Sequence, residues 1–171
     1  MPVSVQKVMA VVALAALCGA AAPAAGQDVG LALGATPEPV TLQDLDGNAV
    51  ELTRYVGKKP LLIEFWATWC PLCAELEPKL HAAKQQHGDA LDVLVIAVGV
   101  NQTPRSISRH LARHTAPGPV LFDGRGRATR AFLAPSTSYI VALDANGRVV
   151  YTGVGADQDI ATAAAKAVGA K

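Results

Sequence analysis

From residue 40 onwards, the chain alternates short apolar runs with stretches that have helical character. Two runs, PLLIEFW at 60–66 and LDVLVIAVGV at 91–100, are almost free of polar residues. Such runs are typical of strands that are buried on both faces of a sheet. Between them, the stretch from Pro71 to about His87 predicts a helix that ends at Gly88.

The same alternation continues on both sides of this unit. Val40 to Leu42 and Val50 to Leu52 flank an Asp-Gly pair, which predicts a hairpin. Thr103 as cap and Pro104 at the first helical position predict a helix over 103–114. The other predicted elements are a strand at 119–123, a helix at 125–133, strands at 138–144 and 148–155, and a helix at 157–168. This order predicts an α/β fold with a central mixed sheet, helices on both faces and an added N-terminal β-hairpin.

The first 26 residues form a separate segment. Lys7 precedes an apolar stretch from Val8 to Leu17, and small residues follow before a polar exit. This pattern predicts a secretion signal at 1–26 and a single domain at 27–171, exported across the inner membrane to the periplasm. An uncleaved membrane anchor is the alternative, although the apolar stretch is shorter than the roughly 20 residues that span a bilayer.

Composition narrows the classes of function. The chain of 171 residues is 51% hydrophobic and 17% charged, which indicates a compact fold rather than disorder. Fifteen Lys and Arg residues stand against fourteen Asp and Glu residues, for a net charge of +1. This balance leaves no basic face for a phosphate backbone, so nucleic-acid binding is disfavoured.

Two cysteines carry the candidate chemistry. Of the three cysteines in the chain, Cys18 lies within the predicted signal, which leaves Cys70 and Cys73 in the stretch FWATWCPLC. Pro71 favours the first helical position, so Cys70 becomes the cap residue at the positive end of the helix, where a thiolate is stabilised. Cys73 follows one turn later and is expected to be more sheltered than an exposed Cys70.

Three interpretations of this pair are open. A structural zinc site needs four ligands, and no histidine of the chain lies beside another cysteine. A permanent disulfide between residues three apart closes a very small loop and removes little chain entropy. A redox couple is therefore the favoured interpretation.

The stretch LQDLDGNAVELTRYVGKKPLLIEFWATWCPLCAELEPKL resembles the thioredoxin fold, and within it the extracytoplasmic TlpA/ResA group of thiol-disulfide reductases. The resemblance rests on the hairpin, the FWATWC approach and Pro78 in the helix. It implies that Cys70 is the nucleophile, that Cys73 resolves the mixed disulfide by closing a Cys70–Cys73 disulfide, and that Trp69 and Pro71 surround the reactive sulfur.

Glu64 is the only charge in the PLLIEFW run. By resemblance it occupies the position of a buried aspartate in thioredoxins. Burial disfavours an ionised carboxylate and raises its pKa, which suits a group that exchanges a proton with Cys73. The alternative is a carboxylate that reaches out from the strand end or is held by a local donor.

The chain departs from the resembling reductases at two positions. A glutamate usually stands three residues after the second cysteine, but Leu76 occupies that position. Residue counts place Ser138, after Thr137, where those enzymes keep a proline that faces the cysteines. The alternative is a shifted loop in which Pro135, three residues earlier, serves as that proline. We expect a trans peptide before Ser138. We also expect its hydroxyl and backbone N–H to lie free beside the sulfurs, leaving them open to soft metal ions.

Together these features predict an extracytoplasmic protein-disulfide oxidoreductase that reduces disulfide-containing partner proteins. The resemblance implies a membrane electron donor. We expect a monomer that requires neither a dissociable cofactor nor a metal ion. The alternatives are a copper-handling thioredoxin-fold protein that uses the same two sulfurs, and a thiol peroxidase.

Overall fold

The computed structural model describes residues 29–169, which form a seven-stranded sheet of order β2-β1-β5-β4-β3-β6-β7. The predicted secretion signal and Cys18 lie outside the described residues. The strands are β1 (Thr41–Gln43), β2 (Ala49–Glu51), β3 (Leu61–Trp66), β4 (Asp92–Val98), β5 (Val120–Asp123), β6 (Tyr139–Leu143) and β7 (Val149–Val154). The helices are α1 (Pro71–His87), α2 (Pro104–Leu111), α3 (Arg127–Ala131) and α4 (Ile160–Val168). Within residues 29–169, no helix has the length and apolar character needed to cross a membrane.

Strand β3 lies in the interior of the sheet, as its apolar run predicts. It pairs in parallel with β4 and antiparallel with β6, so Glu64 lies opposite Val95 on one side and Ile140 on the other. All six residues of β3 are buried. A strand with neighbours on both edges and helices above and below leaves no surface for polar side chains, which explains the apolar sequence.

Helices pack on both faces of the sheet, as predicted. On one face, Leu62 of β3 joins an apolar cluster with Leu76 of α1 and Ala163 of α4. On the opposite face, the ring of Phe65 lies 5.6 Å from the rings of both Phe132 and Tyr139. Because successive side chains of a strand point to opposite faces, Leu62 and Phe65 contribute to different layers of the core.

The N-terminal hairpin is part of the central sheet. Leu42 of β1 lies opposite Val50 of β2, which confirms the predicted hairpin. Strand β1 also pairs antiparallel with β5 through Gln43 and Phe122, and this attachment was not predicted. The hairpin therefore extends the sheet at the edge formed by β5.

Helix α2 is shorter than predicted. Its start is correct, since the Thr103 hydroxyl accepts the N–H of Ser106 at 3.3 Å. The helix ends at Leu111 rather than near residue 114. The chain must then turn to bring β5 alongside β4, and it passes so close to β4 that a Cβ on Gly118 would lie 2.0 Å from the carbonyl oxygen of Val93.

Candidate active site

The two cysteines lie at the start of α1 and form a disulfide. Cys70 is the N-cap residue with extended backbone angles, and Pro71 is the first helical residue, as predicted. The Sγ of Cys70 accepts the backbone N–H of Cys73 at 3.1 Å. The disulfide joins Cα atoms 5.3 Å apart. A sulfur in this position contacts an unpaired backbone donor at the positive end of the helix, where a thiolate is stabilised after reduction.

The two cysteine residues differ less in solvent exposure than the sequence predicts. Cys70 is only 6% exposed and Cys73 is fully buried. The expectation of an exposed Cys70 is therefore wrong for the disulfide form, because the turn that carries it folds back so that its N–H donates to the carbonyl of Ala67 at 3.0 Å. The exposed side chains around the disulfide are Trp69 and Leu72, at 46% and 43%. The rim of the site is therefore apolar.

Gln102 holds the turn before the nucleophile in place. Its buried side chain accepts the N–H of Thr68 at 3.0 Å and donates to the carbonyl of Val98 at 2.6 Å. The amide thus connects the Cys70 approach to the end of β4. Sequence reasoning missed Gln102, because a single polar residue between a strand and a helix cap carries no motif that reveals such a role.

A groove lies beside Trp69, the residue before Cys70. It is lined by Trp69, by residues 98–100 after β4, by parts of the turn at 123–129 and by residues 134–137, and encloses about 540 Å³. The indole N–H of Trp69 donates to the carbonyl of Val100 at 2.9 Å, which fixes one wall. The groove is therefore a preformed surface next to the turn that carries Cys70.

Asp123 is the only acidic residue that lines the groove, and its carboxylate is fully used inside the protein. One oxygen accepts the N–H of Arg127 at 2.6 Å. The other accepts the N–H and the hydroxyl of Thr129, both at 2.8 Å. With this carboxylate held by α3, the groove presents apolar side chains, the hydroxyls of Ser136 and Thr137, and neutral backbone groups.

Ser138 is buried and makes hydrogen bonds through all of its polar groups. Its N–H donates to the carbonyl of Phe65 at 2.8 Å, and its carbonyl accepts the side-chain N–H of Gln158 at 2.9 Å. Its hydroxyl donates to the carbonyl of Thr137 and accepts the N–H of Gly155 at 3.2 Å. The expectation that Ser138 offers free donors beside the sulfurs is therefore wrong.

Ser138 directly precedes β6, the position that the residue counts predict. Its φ angle is +60°, and the peptide bonds of the described residues, including Thr137–Ser138, are trans as expected. Pro135 and Thr137 line the groove next to Trp69, whereas Ser138 lies behind them at 1% exposure. Two tertiary contacts, with β3 and with the loop after β7, hold this backbone conformation.

The conformation of Ser138 leads to a prediction about stability. Proline requires a negative φ and has no N–H. Ser138→Pro therefore loses the hydrogen bond to Phe65, worth about 1 kcal/mol, and forces a backbone change of about 1–3 kcal/mol. We expect Ser138→Pro to lower the free energy of unfolding by more than about 2 kcal/mol, measured by urea denaturation of the oxidised protein. Ser138→Gly is the control, since glycine adopts positive φ readily. Equal stability of the proline variant and wild type would contradict the positive-φ conformation of Ser138.

Glu64 is 1% exposed in the middle of β3. Its Oε1 has no hydrogen-bond partner among the described residues. Burial, followed by the negative charge of Glu77, raises the pKa of Glu64 from 4.5 to about 8. This position does not fit a carboxylate that reaches solvent from a strand end. A buried carboxyl that titrates near neutral pH can accept and return a proton.

Leu76 stands where the resembling reductases usually carry a glutamate. Its side chain is fully buried against β3 and α4, so it contributes core packing and no charge. The next residue, Glu77, lines the same small cavity as Glu64. The second carboxylate near Glu64 thus comes from α1 one residue later than in the resembling enzymes. No cluster of three or more His, Cys, Asp or Glu residues that could hold a metal ion occurs within residues 29–169.

The fold and the site define a class of protein. A buried strand leads into a Cys-x-x-Cys disulfide at a helix start, on a mixed sheet with helices on both faces. This is the site of a thioredoxin-fold thiol-disulfide oxidoreductase, which exchanges a dithiol for a disulfide.

Comparison with known proteins agrees with this class. Residues 19–168 match the Redoxin family, and the chain belongs to that family; the match begins inside the predicted secretion signal. The chain is 28% identical over 135 residues to the thiol-disulfide oxidoreductase ResA of Geobacillus thermodenitrificans, covering 76% of this chain and 75% of ResA. It is 27% identical over 117 residues to the thioredoxin-like protein YneN of Bacillus subtilis, covering 67% and 68%.

Among solved structures, one from Chlorobium tepidum, described as a thiol:disulfide interchange protein DsbE, superposes with a TM-score of 0.69 at 22% identity. The match covers 81% of this chain and 98% of the other, which shows a shared fold. The resemblance to the TlpA/ResA-like group that the sequence indicates is confirmed.

Proposed function

We propose that the protein reduces disulfides in partner proteins outside the cytoplasm, with Cys70 as the nucleophile and Cys73 as the resolving thiol. One observation carries the proposal. The Sγ of Cys70 caps α1 and accepts a backbone N–H, and Cys70 is the only one of the two cysteines with exposed surface. A thiolate forms most readily at such a helix start and attacks the disulfide of a partner.

The first half of the reaction forms a mixed disulfide. The Cys70 thiolate attacks one sulfur of the partner's disulfide, that S–S bond breaks, and the released partner thiolate takes a proton from solvent. The Cys73 thiol then gives its proton to the Glu64 carboxylate. The Cys73 thiolate attacks the Sγ of Cys70, which releases the second partner thiolate to take a proton from solvent and leaves the Cys70–Cys73 disulfide. Two electrons thus pass from the dithiol to the partner.

The groove beside Trp69 supports a protein substrate. Its wall at Trp69 is exposed, and its one carboxylate, Asp123, is engaged by α3. A partly apolar groove of about 540 Å³ fits a peptide segment that carries a cysteine. Docking of that segment brings the partner's disulfide to the start of α1.

The secretion signal predicted at 1–26 supports a periplasmic location. In that compartment the oxidised protein needs a dithiol donor to restore Cys70 and Cys73. A dithiol donor in the membrane attacks Cys70 with one thiolate, which releases Cys73 to recover a proton from Glu64. The second thiolate of the donor then attacks this mixed disulfide, which releases the Cys70 thiolate and leaves the donor as a disulfide.

Insulin reduction and the reduction potential test this function. The reduced protein should reduce the disulfides of insulin, measured by precipitation of the freed chain. Its potential against glutathione should lie near the thioredoxin figure of about −270 mV. A potential near about −120 mV would instead indicate an oxidant, and failure to reduce insulin would count against a protein-disulfide reductase.

A further inference from the structure

A narrow cavity lies over Glu64 between β3, α1 and α2. Glu64 and Trp66 of β3 line it from the sheet, Glu77 lines it from α1, and His110 and His114 line it from the end of α2 and the turn that follows. The volume open to the centre of a water molecule is about 10 Å³. That volume accommodates about one water molecule.

The inner end of the cavity is a carboxyl group without a partner. Glu64 is 1% exposed, and its Oε1 lacks a hydrogen-bond partner within the described part of the chain. A buried polar atom of this kind is costly unless it has a role. A single water molecule in the cavity can bridge Oε1 to the groups at the outer end.

The outer end holds two groups that connect the cavity to the surface. The Glu77 side chain is 31% exposed, and its Oε1 lies 3.9 Å from the Nε2 of His81, which is 41% exposed. The ring of His110 lies 5.4 Å from Trp66 on its inner side and stacks at 4.3 Å on the exposed ring of His114. Glu77 and His110 thus each contact both the cavity and an exposed imidazole.

We propose that this cavity is the route by which the Glu64 carboxyl exchanges its proton with solvent, and that Glu77 and His110 pass the proton between the cavity and the surface. The proposal rests on the proton role of Glu64 in the proposed function. The proton leaves the Glu64 carboxyl through one bridging water to the Glu77 carboxylate or the His110 imidazole. From there a buffer base accepts it, and no electron moves.

Reduced protein that has equilibrated with solvent near neutral pH needs such a route. A group with a pKa of about 8 is protonated in about nine-tenths of the molecules at pH 7. In those molecules Glu64 must ionise before it can accept the proton of Cys73. Burial, and then the charges of His114 and Arg113, lower the pKa of His110 against the opposing charge of Glu77. A lowered pKa keeps the His110 imidazole neutral and able to accept a proton.

A purely electrostatic role of Glu77 has the opposite consequence. The charge of Glu77 raises the pKa of Glu64, so its removal makes Glu64 easier to ionise. If charge were the whole effect, a Glu77→Gln variant would resolve the mixed disulfide faster at pH 7. Loss of the proton route makes the same step slower. The direction of the change in rate therefore distinguishes a purely electrostatic role of Glu77 from a role in the proton route.

The test is a stopped-flow reaction of the fully reduced protein, in which Cys18→Ser removes the third thiol, with an excess of 5,5′-dithiobis(2-nitrobenzoate). The first equivalent of coloured thiolate reports attack by Cys70, and the second reports resolution by Cys73. For the double variant Glu77→Gln, His110→Gln, we expect the second step at pH 7 to slow by about a hundredfold, the lower end of general acid–base effects. Added imidazole should restore it, and the first step should not change.

The matched control is Glu75→Gln, which removes the same charge from an exposed position of α1. The control and wild type should show a second step that is independent of imidazole. If the double variant does not fold, the two single variants are measured in the same way. A second step that is as fast as in wild type or faster, or a slow step that imidazole does not restore, overturns the proposal.

Glu64→Gln in the same assay distinguishes failure of the proton role of Glu64 from failure of the proton route alone. If Glu64→Gln leaves the second step unchanged across pH 6 to 9, Glu64 has no proton role and the proposed use of Glu64 fails together with the route. If Glu64→Gln slows the second step but the double variant does not, the proton role stands and only the route fails.

Discussion

Replacing Cys73 with serine is expected to convert the protein into a trap that stays joined to its partner through a mixed disulfide on Cys70. Cys73 is fully buried one turn inside α1 and is already within bonding distance of the Cys70 sulfur. Such intramolecular attack has effective molarities of about 10⁵ M or more, so we expect resolution to slow by at least about three orders of magnitude. Insulin turnover should fall with it, and non-reducing electrophoresis should show the adduct.

The matched control is Cys70→Ser, which should form no adduct and show no turnover. Both variants keep the size of the side chain, so a difference between them reports chemistry rather than packing. Adduct formation by Cys70→Ser and not by Cys73→Ser would reverse the two roles. Faster alkylation of Cys73 than of Cys70 in the reduced protein at mildly acidic pH would give the same contradiction.

Replacing Glu64 with glutamine is expected to stabilise the oxidised protein at alkaline pH. The folded-state pKa of Glu64 is about 8 against an ordinary value of 4.5. Because the folded protein holds this proton more tightly, the associated stability is complete below about pH 4.5 and is lost as the pH rises through about 8. A shift of 8 − 4.5 = 3.5 units corresponds to as much as about 5 kcal/mol. Glutamine keeps the shape and removes the titration.

Urea unfolding of the oxidised protein at pH 5 and pH 9 measures this effect. We expect the free energy of unfolding of wild type to fall by a few kcal/mol between the two pH values, and that of Glu64→Gln to fall much less. Glu75→Gln, an exposed change on α1, should retain the wild-type dependence. Parallel pH profiles for wild type and Glu64→Gln would show that the buried carboxyl does not titrate in this range.

Local patterns in the sequence were sufficient for the central strand and the active-site helix. An apolar run predicted β3, and Pro71 after Cys70 predicted both the start of α1 and the cap position of the sulfur. These features depend on residues that are close along the chain: the missing N–H of proline suits a first helical turn, and an apolar run suits a doubly covered strand. The pairing of β1 with β5 depends on residues nearly 80 positions apart, Gln43 and Phe122, and was not predicted.

The residues around the disulfide also show which features follow from local sequence and which depend on contacts distant along the chain. Counting along the chain located Ser138 directly before β6, but the orientation of its polar groups follows from Phe65, Gly155 and Gln158. Gln102 binds the Cys70 approach only because the end of β4 lies next to that of β3. Hydrogen bonds between residues distant in sequence have no periodic signal, so such contacts become visible only in the folded chain.

The sequence by itself determined the α/β architecture, the reactive Cys-x-x-Cys pair at a helix start, and one carboxylate in a buried strand, because strand burial, helix capping and cysteine spacing are local properties. Only the tertiary structure decided how far Cys70 is covered, which groups Ser138 binds, and which residues lie over Glu64. Glu77 and His110 come from different helices and meet Glu64 only because α1 and the end of α2 pack over the same stretch of β3. The pKa of Glu64 depends on that packing, since burial and the charge of Glu77 act through space rather than along the chain.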